Sequence, residues 1–126
     1  MIKVDFIKFA EIKRFASKAA KDGVSVKDTP STLWFGVWDN DQLVGFGGLL
    51  IKLPKARIKG DWILPQHRGK GYGHHLTEHR LTVCKNHNNI KKIEAYSLHP
   101  HYYKDKLGWK VKGQYKPNTW IVETYL

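Results

Sequence analysis

The chain holds a single cysteine, Cys84, among 126 residues. No intrachain disulfide can form, a cysteine-rich zinc site is excluded, and a reducing compartment is the natural setting. Long apolar runs are also missing, because Lys3, Asp5, Lys8 and Glu11 interrupt the N-terminal segment well short of signal-peptide or membrane-spanning length. A soluble, cytoplasmic protein without membrane contact is expected. Acidic residues are scarce, 11 against 22 lysines and arginines, and the formal charge is +11. The basic residues are spread over Lys8 to Lys27, Lys52 to Lys59, Lys85 to Lys92 and Lys104 to Lys116 instead of forming a tail. Such a field speeds encounter with polyanions, nucleic acid and acidic proteins among them, and it equally suits the solvated faces of an ordinary basic protein. There is no repeat, low-complexity tract or second domain. The length allows one core that buries about two-thirds of the unfolded surface, so residues 1 to 126 are read as one domain.

Met1 to Phe6 has the look of a short leading strand. Phe9, Ile12, Ala16 and Ala19 recur at helical spacing, which predicts an amphipathic helix over residues 7 to 21 that stops near Gly23. After a polar connector containing Pro30, Leu33 to Trp38 and Gln42 to Leu53 flank Asp39-Asn40-Asp41 and read as a hairpin. Gly45, Gly47 and Gly48 inside its second strand mark a bulge or the close approach of another group. Ile58 to Leu64 is a further strand. A helix from Gly71 to about His87 follows, with Tyr72, Leu76, Val83 and Cys84 facing inward. Lys91 to Leu98 is then a strand parallel to the one before the helix, since a helix crosses between them. Pro100 opens a short helix capped by Gly108, and two strands joined at Pro117-Asn118 end the chain.

Chemistry is most legible at Arg68-Gly69-Lys70-Gly71-Tyr72-Gly73, entered from Trp62-Ile63-Leu64-Pro65 and followed by His74-His75-Leu76. Glycines let the backbone turn tightly and bring its N–H groups close to a ligand, while the positive end of the helix dipole favours an anion. A polyphosphate cradle is expected there, with a plain tight turn as the alternative. A Rossmann or P-loop reading fits worse, because no early βαβ unit precedes the glycines and no Lys-Ser or Lys-Thr follows them.

This R-x-x-G-x-G pattern, with I-x-P before it and H-x-L after it, resembles motif A of the GCN5-related N-acetyltransferases (GNAT family). Tyr102-Tyr103 and Leu107-Gly108-Trp109 are similar to that family's late F-Y-x-x-L-G-F signature, and the resemblance covers roughly residues 33 to 126. It implies a single-domain α/β (α+β) fold, a mixed, splayed sheet flanked by helices. It also implies an acetyl-CoA-dependent N-acetyltransferase acting on an amine by direct attack on the thioester. Backbone groups of Ile63 and Leu64 are expected to bond the pantetheine arm, and Arg68, Gly69, Lys70, Gly71, Tyr72, Gly73 and His74 to hold the pyrophosphate. The resemblance names a late-helix tyrosine as acid toward the departing thiolate, here Tyr103 with Tyr102 in reserve. Tyr103 lies five residues before Gly108, whereas the family's common spacing is four. The short connector implies an open acceptor site, and small members often pair through their last strands, so a homodimer is expected.

A lysine-like amine is neutral about once in a few thousand molecules at pH 7, so a base is needed. Asp61, two residues before Ile63, is the candidate, with Glu94 and His99 as rivals and a salt bridge to Lys59 or Arg57 as its structural alternative. His75 and His79 lie four apart beside Glu78, but no third ligand is set by spacing, and no metal is expected. The acceptor stays open. The charge speaks against a polycation such as spermine and for an acidic or nucleic-acid-associated amine. Two further readings remain: a basic nucleic-acid-binding module, and an acyl-coenzyme A sensor without turnover.

Overall fold

The computed structural model describes residues 1–126. Seven strands form one sheet in the order β1-β2-β3-β4-β5-β7-β6. They are β1 Ile2–Phe6, β2 Thr32–Asp39, β3 Gln42–Lys52, β4 Lys55–Ile63, β5 Lys92–Ser97, β6 Lys110–Lys116 and β7 Thr119–Tyr125. All neighbours are antiparallel except β4 and β5, which the helix α3, Tyr72–Lys85, connects in the parallel sense. The expected mixed sheet is present, and the return of β7 between β5 and β6 completes it. Asn40 and Asp41 both take positive φ, 49° and 68°, the conformation that a tight two-residue hairpin requires.

The first helix is interrupted. It forms as α1, Phe9–Ile12, a 3-10 turn, Lys13–Phe15, and α2, Ala16–Lys21. The expected stripe survives the interruption: Ile12 and Ala19 are fully buried, and Phe15 sits 6.1 Å from Phe46 and 5.9 Å from Trp62 between ring centroids. These helices cover one face of the sheet over Trp34, Phe46 and Trp62. Each of these large aromatics contributes about 2–3 kcal/mol through burial. The two buried indoles also keep partners, with Trp34 Nε1 donating to Asp28 at 3.0 Å and Trp62 Nε1 to Asp22 at 2.8 Å.

The other face carries α3 and α4, an irregular helix over residues 100–107 with a π turn at Tyr102–Lys106. Tyr72, Leu76, Thr77, Arg80 and Cys84 form the buried stripe of α3. Val83, expected inward, is only half-buried, because the i, i+4 ladder from Leu76 to Cys84 passes through Arg80 and leaves Val83 at its edge. Burial pushes the Cys84 thiol up to about 11. The native protein should therefore stay unlabelled by iodoacetamide at pH 8 and react fully in urea; labelling within minutes in buffer would contradict the packing.

Candidate active site

β4 and β5 are paired only from Lys55–Lys92 to Ile58–Ala95. Beyond that point β4 follows β3 instead, through an irregularity between Phe46 and Gly48. Gly60, opposite, takes φ +66°, and a β-carbon there would lie 2.9 Å from the Trp34 ring. The two strands part toward their C-terminal ends, the place where open α/β sheets admit ligands.

The glycine segment continues from the free end of β4. Gly69 and Gly71 take φ of +79° and +85°, and Gly71 is the N-cap of α3 with no side chain capping it. The backbone N–H groups of Gly69, Lys70, Gly71, Tyr72, Gly73 and His74 have no acceptor in the protein. β-Carbons built at Gly69, Gly71 and Gly73 meet nothing within 4 Å. Unpaired donors, open space and the positive end of a 14-residue helix fit a diphosphate ester.

The side chains around this cradle mostly brace it. Arg68 turns away from it: Nε donates to the Ile63 carbonyl and one terminal nitrogen to Asp22, both at 2.9 Å. The Trp62 and Arg68 hydrogen bonds hold the Asp22 carboxyl below the usual range, so this tether weakens only as pH falls through that lowered value. The Tyr72 hydroxyl donates to Asp39, which also receives the N-terminal ammonium at 3.3 Å. His74 Nδ1 and the Tyr102 hydroxyl share a hydrogen bond of 2.9 Å that joins α3 to α4. Lys70 is exposed beside the cradle. Just past β4 the Leu64 N–H is committed to Val44 O at 2.9 Å, and strand alternation points the Ile63 N–H into the gap.

Asp61 pairs with Arg80, not with Lys59 or Arg57. Both carboxylate oxygens accept from the guanidinium at 2.6 Å, and Arg80 also donates to Gly48 O at 2.9 Å. Arg80 is fully buried, while the Asp61 side chain keeps 35% of its surface. A β-carbon at Gly47 would collide with Asp61 and lie 2.8 Å from Arg80, so this glycine is where the ion pair lies flat on β3. Sequence reasoning missed Arg80, whose signal was a cation on an apolar helical stripe. Of the rivals to Asp61, Glu94 is buried on the opposite face with Lys55 at 3.4 Å, and His99 is exposed just after β5.

Tyr103 is buried on α4 against Trp109, with ring centroids 4.9 Å apart. Burial, then the Asp61 charge, push its phenol well above the ordinary value, with Arg80 opposing. Tyr102 is less buried, and desolvation raises it as well. The π turn at Tyr102–Lys106 absorbs the extra residue before Gly108, which caps the helix with φ +72°. On the α1–α2 face, a cleft of about 450 Å3 runs between Phe15, Lys18, Lys21 and Trp62, Leu64, Gln66.

A parted strand pair that opens onto a main-chain anion cradle is the plan of a coenzyme A-dependent acyltransferase. A model of the acetyltransferase (GNAT) family matches residues 4–109, and the chain belongs to that family of N-acetyltransferases, which use acetyl-coenzyme A as cosubstrate. No curated protein matches the chain. Among solved structures it is similar to the PaiA N-acetyltransferase from Thermoplasma acidophilum in complex with coenzyme A, with a TM-score of 0.75 and 16% identity over 100% of this chain and 99% of that one. Arabidopsis thaliana NAA60 in complex with a bisubstrate analogue gives a TM-score of 0.78 at 8% identity, covering 99% and 98%. N-acetylglutamate synthase from Neisseria gonorrhoeae, complexed with coenzyme A and N-acetyl-glutamate, gives 0.76 at 14%; all of this chain spans 35% of that one. At these identities the likeness is one of fold. No helix is long and apolar enough to cross a membrane.

Proposed function

We propose that the cradle from Gly69 to His74 binds the pyrophosphate of acetyl-coenzyme A and that the chain moves the acetyl group to a primary amine by direct attack. The six unpaired N–H groups at the mouth of the strand gap carry this reading. The reaction joins the amine nitrogen to the acetyl carbon, breaks the C–S bond, and ends with one proton on sulfur and one lost from nitrogen. Ile63 offers its N–H to the pantetheine arm. Arg68 acts through its bonds to Ile63 and Asp22, keeping the strand end and the cradle in fixed relation.

Tyr103 is the proton donor toward sulfur. Its raised phenol stays protonated through the neutral range and would lose its proton only above the ordinary tyrosine value. Asp61 acts through Arg80: both of its oxygens accept from the buried guanidinium, so its part is to hold that charge in place, and water leads the amine proton away. For Tyr103→Phe, kcat should fall about 100-fold with coenzyme affinity unchanged within about twofold, measured by thiol release and calorimetry. An unchanged kcat would pass the role to Tyr102.

The acceptor approaches the α1–α2 face, where the connector is short and the cleft presents Lys18 and Lys21. A cytoplasmic setting agrees with the lone thiol. The charge of +11 exceeds that of one coenzyme A, roughly four, which supports association with a further polyanion. β6 is a sheet edge, which supports a homodimer through the last strands. Calorimetry with acetyl-coenzyme A, followed by thiol release over a panel of amines, tests the reading. Absence of binding sinks it, and binding without release over a broad panel leaves an acyl-coenzyme A sensor.

A further inference from the structure

The sheet face that α1 and α2 cover over β2 to β4 is left open over β5, β7 and β6, where Tyr96, Tyr115 and Tyr125 are 39%, 54% and 71% exposed. Register places Arg57, Glu94 and Glu123 in one row across β4, β5 and β7, Tyr96 beside Ile121, and Lys92 beside Tyr125. The two acids in this face are sunk and neutralised. Glu94 and Glu123 are each 4% exposed and pair with Lys55 at 3.4 Å and Lys92 at 3.0 Å. What faces outward is cationic and aromatic.

The cations and rings alternate. The Arg57 guanidinium lies 5.0 Å from the Tyr96 ring centre, Lys116 Nζ 5.6 Å from Tyr115 and Lys92 Nζ 5.7 Å from Tyr125. Tyr96 and Tyr115 stand 4.9 Å apart and tilted. Lys52 and Lys55 line a narrow cleft of about 80 Å3 beside Arg57 and Tyr96. This surface lies at the paired halves of β4 and β5, N-terminal to the gap and separate from the cradle.

We propose that this face docks single-stranded nucleic acid, with bases stacked on Tyr96 and Tyr115 and phosphates tracking Lys52, Arg57 and Lys116. Strand spacing of about 4.8 Å sets rings and cations at intervals that a splayed strand can follow. A duplex hides its base faces, and the acidic side chains of a peptide carry no ring to stack on the tyrosines. The charges would serve either, but the exposed rings favour unpaired bases. The inference rests on this face alone and holds whichever amine the enzyme acetylates.

The test is fluorescence anisotropy of the full chain with a labelled 12-nucleotide oligo(dT) and oligo(U) at several salt concentrations. A duplex of equal length and poly-glutamate serve as comparators. Tyr96→Ala and Tyr115→Ala should each weaken single-strand binding by about 5- to 100-fold without changing the salt slope. Arg57→Gln should lower that slope by about 0.7. All three side chains are at the surface, and unchanged melting with retained acetyl-coenzyme A binding verifies the fold. The proposal is overturned if neither oligonucleotide binds, if duplex or poly-glutamate binds as tightly, or if the tyrosine variants bind like the parent.

Discussion

Asp61→Ala lowers the stability of the fold by about 3 kcal/mol, read as a shift of the urea midpoint at unchanged slope. The loss arises at Arg80, which is fully buried and has only one other acceptor, the Gly48 carbonyl. Its Nε already lacks a partner. Removing the carboxylate therefore leaves a cation in the core with nothing to balance it. The figure sits at the low end for buried pairs because Asp61 keeps 35% of its side-chain surface and water reaches the place it vacates. Arg80→Met costs less, since the remaining carboxylate can hydrate through the strand gap and a methionine fills the helix stripe. The double variant is more stable than Asp61→Ala alone. That reversal is the signature of coupling, and simple additivity of the two changes would mean that the pair carries no weight.

The same pair shows where reading the chain falls short. Arg80 was visible as a charge in the ladder of Leu76, Arg80 and Cys84, yet its partner depends on how β4 crosses β3 at Gly47 and Gly60. A one-residue slip there would turn Asp61 to the other face; the glycines of β3 marked a bulge or a close approach, but not the register that it imposes on β4. The hairpin at Asn40-Asp41 and the crossover helix were legible because turn chemistry and connection rules are local, whereas the parting of β4 from β5 came from the family resemblance. The Asp22–Arg68 tether was not, since it joins elements far apart in sequence. The π turn hid for another reason: over a helix this short, one extra residue per turn leaves no periodicity to measure. It also explains why Tyr102 and Tyr103 could not be ranked by spacing. Burial separates them, placing Tyr103 in the core against Trp109 and Tyr102 against His74.

Gly71→Val abolishes most of the coenzyme affinity, while Gly73→Ala retains it. Gly71 takes φ +85°, where a β-branched side chain costs about 1–2 kcal/mol, although no atom of the protein would obstruct it. The chain escapes that strain by rotating the peptides on either side, and the N–H groups of Gly71 and Tyr72 then no longer converge. Two hydrogen bonds to a charged oxygen, each worth about 1.5–3 kcal/mol, are lost together, so the dissociation constant rises by about 100-fold or more. Gly73 has ordinary helical φ, is the second residue of α3, and also has free space around its missing β-carbon. Alanine there leaves the donors in place and stabilises the helix by up to about 1 kcal/mol. Thermal melting should therefore move in opposite senses for the two variants, while calorimetry with acetyl-coenzyme A loses binding for Gly71→Val alone. Equal affinity for Gly71→Val and the parent would mean that the backbone at this bend is not what receives the diphosphate.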